Sequence, residues 1–197
     1  MLIPEDITLY FVRHGETDWN VERRLQGSTD IPLNDKGRGQ AARHGRVMAE
    51  LDVDWSKYHF HASPLSRTKE TMDIVRQQIG TAAAEPTYDD RLKEAHFGDW
   101  EGQTWTEVVE NNPGDHAAYL KDCWSIAPHK GETHQEIAHR LIAWAATLTQ
   151  DTVVVSHGMI SRVLRSLYLD LNRADVLSLS TPQTSFYRFA NGQVDTI

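Results

Sequence analysis

Leu9-Tyr10-Phe11-Val12-Arg13-His14-Gly15-Glu16-Thr17 is an apolar run that stops abruptly at an arginine, a histidine and a glycine. The run has the length and residue types that strands favour, and glycine then frees the backbone to turn sharply. The pattern predicts a buried strand, roughly Ile7 to Val12. Such a strand delivers a guanidinium and an imidazole to its C-terminal end, the edge at which open α/β sheets bind ligands. Far down the chain, Thr152-Val153-Val154-Val155-Ser156-His157-Gly158 repeats the idea. Two parallel neighbouring strands would bring His14 and His157 together.

The 197 residues, 40% hydrophobic and 24% charged, suit one domain, 1–197, with a sizeable core. Twenty basic against twenty-eight acidic residues leave a net charge of −8, which argues against a nucleic-acid partner. It also makes a local arginine cluster notable, because the average surface repels phosphate. Cys123 is the single cysteine, so neither an internal disulfide nor a thiolate metal cluster is expected, and the cytoplasm is the default location. Met1 to Tyr10 lacks the features of a signal peptide, and no apolar run approaches membrane-spanning length.

Strand and helix signals alternate along the chain. A helix from about Asn34 to Leu51 follows a long polar loop, Thr17 to Leu33. After a short strand at Tyr58 to Ala62, Ser63-Pro64 predicts a helix with serine as N-cap and proline at its first position. Leu65, Thr68, Met72, Val75 and Ile79 recur on its face, and Gly80 ends it. A connection over Thr81 to Leu92 holds a candidate strand at Thr87-Tyr88. Arg91 to Gly102 has neither period and reads as an ordered loop. Thr104 to Glu107 and Thr133 to Glu136 are capping boxes that open helices, with a further helix around Asp115 to Asp122 between them. A helix carrying Ile160, Val163, Leu164, Leu167 and Leu171 follows His157. Asn191-Gly192 between two apolar runs predicts a terminal hairpin. The expected fold class is α/β: a mainly parallel central sheet between helix layers, with an antiparallel edge strand.

His14 is the candidate nucleophile, since imidazole can attack covalently when one nitrogen is unprotonated. A carbonyl near Gly15 would hold the other ring N–H, and nearby arginines would favour the neutral ring. Arg13 and Arg67 are candidate oxyanion clamps, because guanidinium matches phosphate oxygens with paired donors. The bland alternative for Arg67 is a surface pair with Glu70, worth only about 0.2–0.5 kcal/mol. His157 could stabilise charge on a transferring group or merely satisfy backbone. Glu94 could protonate a leaving oxygen, if burial against Phe97 and Trp100 favours its neutral form; otherwise it is a solvated loop carboxylate. Asn20, Gln26 and Gly27 could bind substrate or serve the loop's own backbone. Glu132 and Thr133 read as capping residues, and Trp19, Trp55, Trp105, Trp124 and Trp144 as packing.

Taken in order, Arg13-His14-Gly15-Glu16-Thr17, Asn20, Gln26-Gly27, Ser63-Pro64-Leu65-Ser66-Arg67-Thr68, Leu92-Lys93-Glu94, Phe97 to Gly102, Gly131-Glu132-Thr133 and Ser156-His157-Gly158 resemble the motifs of the histidine phosphatase superfamily (phosphoglycerate mutase-like) over about residues 6 to 190. The resemblance implies a phosphohistidine on His14, a phosphate pocket of Arg13, Arg67 and His157, a proton donor at Glu94, and neither metal nor cofactor. Mutases of the family carry paired arginines between the acid and the second histidine, and an asparagine after the final His-Gly. Here Thr104 to Lys130 contains no arginine and Met159 follows Gly158. The chain is therefore more similar to the small phosphatases.

The expected function is a metal-independent phosphomonoesterase acting on a small phosphorylated substrate. The alternatives are a cofactor-dependent phosphoglycerate mutase, a non-catalytic phospho-ligand binding protein, and a metallohydrolase using some of the ten histidines. No helical His-x-x-x-His or acid cluster supports the last of these. Neither the physiological substrate nor the oligomeric state, a homodimer being one option, is readable.

Overall fold

A computed structural model describes residues 2–80 and 85–197; the first residues of the predicted connection after Gly80 lie outside them. The first strand, β1, spans Leu9–Arg13. The following loop contains one turn of helix, α1 (Asp18–Val21), closed by a reciprocal capping box between Thr17 and Asn20. Helix α2 (Asp35–Ala49) starts at the Asn34 cap, β2 is His59–Ala62, α3 is Ser66–Ile79, and β3 is the two-residue Thr87–Tyr88. Helices α4 (Trp105–Asn111) and α6 (His134–Ala145) open at the two predicted capping boxes, with α5 (Pro113–Lys121) between them. Strand β4 (Thr152–Ser156) leads directly into α7 (Gly158–Tyr168). The chain closes with the hairpin of β5 (Tyr187–Ala190) and β6 (Gln193–Thr196).

These strands form one sheet in the order β3-β2-β4-β1-β5-β6. The first four are mutually parallel, and β5 and β6 run antiparallel at one edge. Alternation along the strands divides the core into two clusters. Leu9, Phe11 and Val154 face Ile137, Leu141, Trp144, Ile160 and Leu164 of α6 and α7. Tyr10, Val12, Val153 and Val155 face Met48, Met72 and Val75 of α2 and α3. Helices thus cover both faces, as the alternating pattern predicts.

Three local readings need correction. Ser63 is not the N-cap of α3, and Pro64 is not its first residue; the helix begins at Ser66 after Leu65. The cap arrives from outside: Asp30 accepts from the Ser66 N–H at 2.9 Å and from its hydroxyl at 2.8 Å. Ser63 is thereby free for another role. Glu132 caps nothing and instead pairs with Arg140 at 2.7 and 2.9 Å. Arg91 to Gly102 is ordered but contains single 3₁₀ turns at Asp90–Leu92 and Gly98–Trp100.

The turn after β1 packs backbone to backbone on the start of α2. A Cβ at Gly15 would lie 2.2 Å from the Gly37 carbonyl oxygen, and one at Gly37 would lie 2.1 Å from that of Glu16. Backbone cannot swing aside as a flexible side chain can. Gly15→Ala is therefore expected to lower unfolding free energy by about 1–3 kcal/mol, the usual cost of overpacking. Urea titration would register this as a lower midpoint at unchanged slope.

Candidate active site

Arg13 and Ser156 are register partners at the ends of β1 and β4, and the His14 N–H extends the ladder to the Ser156 carbonyl at 3.0 Å. The two histidines that follow leave the sheet at the same level. Their ring centroids lie 5.1 Å apart with planes inclined at 62°. Both are buried, His14 at 2% and His157 at 0% exposure.

His14 Nδ1 lies 2.7 Å from the Gly15 carbonyl oxygen. A carbonyl can only accept, so Nδ1 carries the proton and Nε2 keeps its lone pair. Burial, then the charges of Arg67 and Arg13, hold His14 well below the ordinary imidazole range. His157 is depressed in the same way, by burial first and then by Arg67 and His14. Its Nε2 is 2.8 Å from the Ser63 hydroxyl, while its buried Nδ1 has no protein partner. The Leu65 N–H donates to Ser63 Oγ at 3.4 Å, which favours the hydroxyl donating onward to Nε2. His157 Nδ1–H is then left as a free donor.

Arg67 is fully buried, so the surface pair with Glu70 does not form; Arg38 takes that carboxylate at 2.6 Å. The Arg67 guanidinium donates to the Gly27 and Thr29 carbonyls, both at 2.9 Å. Gly27 therefore faces Arg67 through its carbonyl. Arg13 is anchored by the Thr181 carbonyl. The Nε of each arginine is buried without a partner. Burial lowers the proton affinity of both, and Glu94 is the leading charge that restores it. Glu94 itself accepts from the Ala95 N–H at 2.9 Å and the Met159 N–H at 3.2 Å.

One cavity of about 200 Å³ is lined by Arg13, His14, Asn20, Gln26, Arg67 and Glu94. It collects six of the eight residues singled out from the sequence; His157 packs against His14 and Gly27 bonds to Arg67, but neither lines the cavity. Asn20 uses its carbonyl oxygen internally, accepting from Thr17 N–H and from Gln183. Trp105, read from sequence as packing, lines the cavity with Phe97, and so do Arg24 and Arg162. Nothing in their local sequence marks them, since three separate elements supply them. Among the described residues no three His, Cys, Asp or Glu side chains are grouped to hold a metal.

Glu101 belongs to the site through the loop it holds. Its carboxylate accepts from the N–H and hydroxyl groups of Ser28 and Thr29, at 2.7 to 3.2 Å, and from the Phe97 N–H. Gly27 has φ +52°, and a Cβ there would lie 2.0 Å from a Glu101 oxygen. The bound loop is what presents two carbonyls to Arg67. Charge-assisted bonds contribute about 1.5–3 kcal/mol each. Glu101→Gln should therefore weaken inorganic phosphate binding about tenfold while the protein stays folded, as read by titration calorimetry. Unaltered phosphate affinity would mean that Arg67 is held without this carboxylate.

Buried neutral imidazoles also link stability to pH. His44, held by the Gln183 carbonyl at 3.1 Å, is pushed down to about 4 by burial, as is His134. Above pH 6.5 these rings are neutral whether the chain is folded or not. Below it the unfolded chain gains protons that the native rings refuse. Stability should fall from pH 6.5 towards 4, by roughly 1.4 kcal/mol per unit for each ring. Chemical unfolding at stepped pH would measure the slope, and His44→Gln should make it shallower.

The sequence profile of the histidine phosphatase superfamily (branch 1) matches residues 9–193. The probable phosphoglycerate mutase GpmB of Salmonella arizonae is 35% identical over 170 residues, covering 84% of this chain and 76% of that one. Among solved structures, YhfR of Bacillus stearothermophilus is 32% identical with a TM-score of 0.80, covering 96% of this chain and 94% of the other. A mycobacterial glucosyl-3-phosphoglycerate phosphatase in complex with VO3 is 30% identical with a TM-score of 0.78, covering 92% of each chain. The chain belongs to the histidine phosphatase superfamily.

Proposed function

We propose that this member of the histidine phosphatase superfamily is a metal-independent phosphomonoesterase. One domain, residues 1–197, hydrolyses a small phosphorylated metabolite through a phosphohistidine on His14. The observation that carries the reading is a buried imidazole whose Nδ1 faces the Gly15 carbonyl, set beside the fully buried Arg67 and the half-buried Arg13.

In the first step His14 Nε2 attacks phosphorus as the ester P–O bond breaks. Arg13 and Arg67 neutralise the equatorial oxygens, and His157 donates from Nδ1. These donors are fixed before the reaction and need no reorganisation as charge develops. Glu94, in its acid form, gives its proton to the departing alkoxide. In the second step the Glu94 carboxylate takes a proton from water as that water attacks the phosphohistidine. Phosphate leaves, and Nε2 regains its lone pair. The cavity, about 200 Å³, has room for a small phosphate ester.

The relatives named as probable phosphoglycerate mutases favour a second reading, in which a substrate hydroxyl, not water, accepts the phosphoryl group. Exchange of 2- and 3-phosphoglycerate, stimulated by the bisphosphate, would select it. Phosphate binding without turnover of any ester would mark a binding protein instead.

Hydrolysis of an aryl phosphate in the presence of chelator, lost in His14→Ala, is the expected result; undiminished activity in that variant would end the proposal. Glu94→Gln should slow esters of poor leaving groups by about 10²–10⁴-fold, the range of general acid catalysis. It should slow p-nitrophenyl phosphate less, because nitrophenolate departs without a proton.

A further inference from the structure

Glu94 sits where no strand or helix ladder fixes the backbone. Its segment lies between the 3₁₀ turns Asp90–Leu92 and Gly98–Trp100. The residue also has space on two sides. It lines the active-site cavity and a second cavity of about 240 Å³ whose wall includes His96, Glu132 and Arg140. General acid catalysis needs the carboxyl within about 2.6–3.2 Å of the departing oxygen. A carboxyl free to turn towards the second cavity would be a poor acid.

One restraint comes from α7. His157, its N-cap residue, makes no side-chain cap, and the Glu94 carboxylate takes the Met159 N–H instead, at 3.2 and 3.3 Å. The other restraint is a clamp on the backbone. Arg140, on α6, donates through Nη1 to the Arg91 carbonyl at 2.6 Å and through Nη2 to the Glu94 carbonyl at 3.4 Å. Its Nε and Nη2 also grip the Glu132 carboxylate at 2.7 and 2.9 Å. Glu132 then bonds His96 at both backbone groups: its N–H donates to the His96 carbonyl at 2.8 Å, and its carboxylate accepts from the His96 N–H at 3.4 Å. The acid is thus held on both sides in sequence by one ion pair, whose side chains are only 18% and 19% exposed. Gly131 permits the approach, since a Cβ there would lie 2.8 Å from the His96 carbonyl oxygen.

We propose that Arg140 and Glu132 are positioning residues for the acid: their ion pair pins the Arg91 to His96 backbone so that the Glu94 carboxyl stays on the active-site side. Neither lines that cavity, so both act through Glu94. The stretch Gly131-Glu132-Thr133 divides its work accordingly. Glycine allows the close approach, glutamate completes the clamp, and threonine caps α6. The inference rests on the phosphatase reading for the role of Glu94.

The test compares phenyl phosphate, whose leaving oxygen needs a proton, with p-nitrophenyl phosphate, whose leaving oxygen does not. In Arg140→Gln the ratio of kcat/KM for phenyl over p-nitrophenyl phosphate should fall about tenfold, part of the roughly 10²–10⁴-fold range of acid catalysis. Arg140 also lowers the proton affinity of His157 through its charge. Loss of that charge would slow both esters alike and leave the ratio unmoved, as would loss of a merely structural ion pair. Arg140→Lys should restore part of the ratio, and Arg140→Gln added to Glu94→Gln should lower it no further. An unchanged ratio in Arg140→Gln, where Glu94→Gln lowers it, overturns the proposal; so does a further fall on the Glu94→Gln background. Amide hydrogen exchange on the full chain is read independently of the acid's chemistry. The Ala95 and Met159 N–H groups should exchange about tenfold faster in Arg140→Gln while β1 and β4 keep their protection. If Glu94→Gln leaves the ratio unmoved, the acid reading fails, and exchange alone then decides the clamp: faster exchange upholds it and unchanged exchange overturns it. Should Arg140→Gln fail to fold, Glu132→Gln takes its place in both measurements with the same outcomes.

Discussion

Parallel pairing of β1 with β4 is the constraint from which the site follows. The register sets Arg13 opposite Ser156, and one further hydrogen bond carries the alignment to His14. Because strand side chains alternate, a slip of one residue would send Tyr10 and Val12 to the face that Leu9 and Phe11 occupy. Both faces of these central strands are packed against helices, so such a slip would misfit side chains in both core clusters. The imidazoles stand 5.1 Å apart as a consequence of core packing, although neither residue belongs to the core in kind.

What gathers at that edge is unbalanced charge. Arg67 is wholly buried and held by carbonyl dipoles, with Asp30 no nearer than 3.9 Å. Arg13 is likewise anchored by a carbonyl. Removing cations from water without direct counter-ions is costly, and it is tolerated here because the loop is bound tightly enough to hold the guanidinium in place. Glu101 and the left-handed Gly27 make that loop rigid. On the proposed reading a phosphoryl group entering the cavity brings the missing negative charge. Burial and the same field disfavour a proton on His14, so the arrangement that would attract the substrate would also preserve the proposed nucleophile.

A named phosphatase and a probable mutase resemble this chain to similar degrees. The first half of either reaction makes the same demands: a neutral imidazole, fixed cations and a proton for the leaving oxygen. Outcomes diverge only when the phosphoryl group leaves histidine, and then the occupant of the remaining space decides. That space is bounded by Arg24, Trp105 and Arg162, which come from the α1–α2 loop, α4 and α7. Variation there changes the guest without disturbing the β1–β4 frame.

Most of the chain's order of strands and helices was legible from periodicity together with cap and turn signals, because strands covered on both faces must be apolar throughout and helices must show one apolar stripe; the single turn of α1 within the Thr17 to Leu33 loop was not. The two His-Gly strand ends and the capping boxes at Thr104 and Thr133 were legible for the same reason: their signals lie within a few consecutive residues. Ser63 misled, since a Ser-Pro pair is a sound local signal for a helix start, and only folding brings Asp30 to take over the cap and His157 to claim the hydroxyl. Glu101, Trp105, Arg24 and Arg162 carry no local mark. Their roles arise from carbonyls, N–H groups and cavity walls contributed by distant segments, and such proximity exists only once the sheet has closed. Sequence by itself determined which residues could perform the chemistry; tertiary structure decided which of them face one hollow, because distance between side chains is a property of packing and not of spacing along the chain.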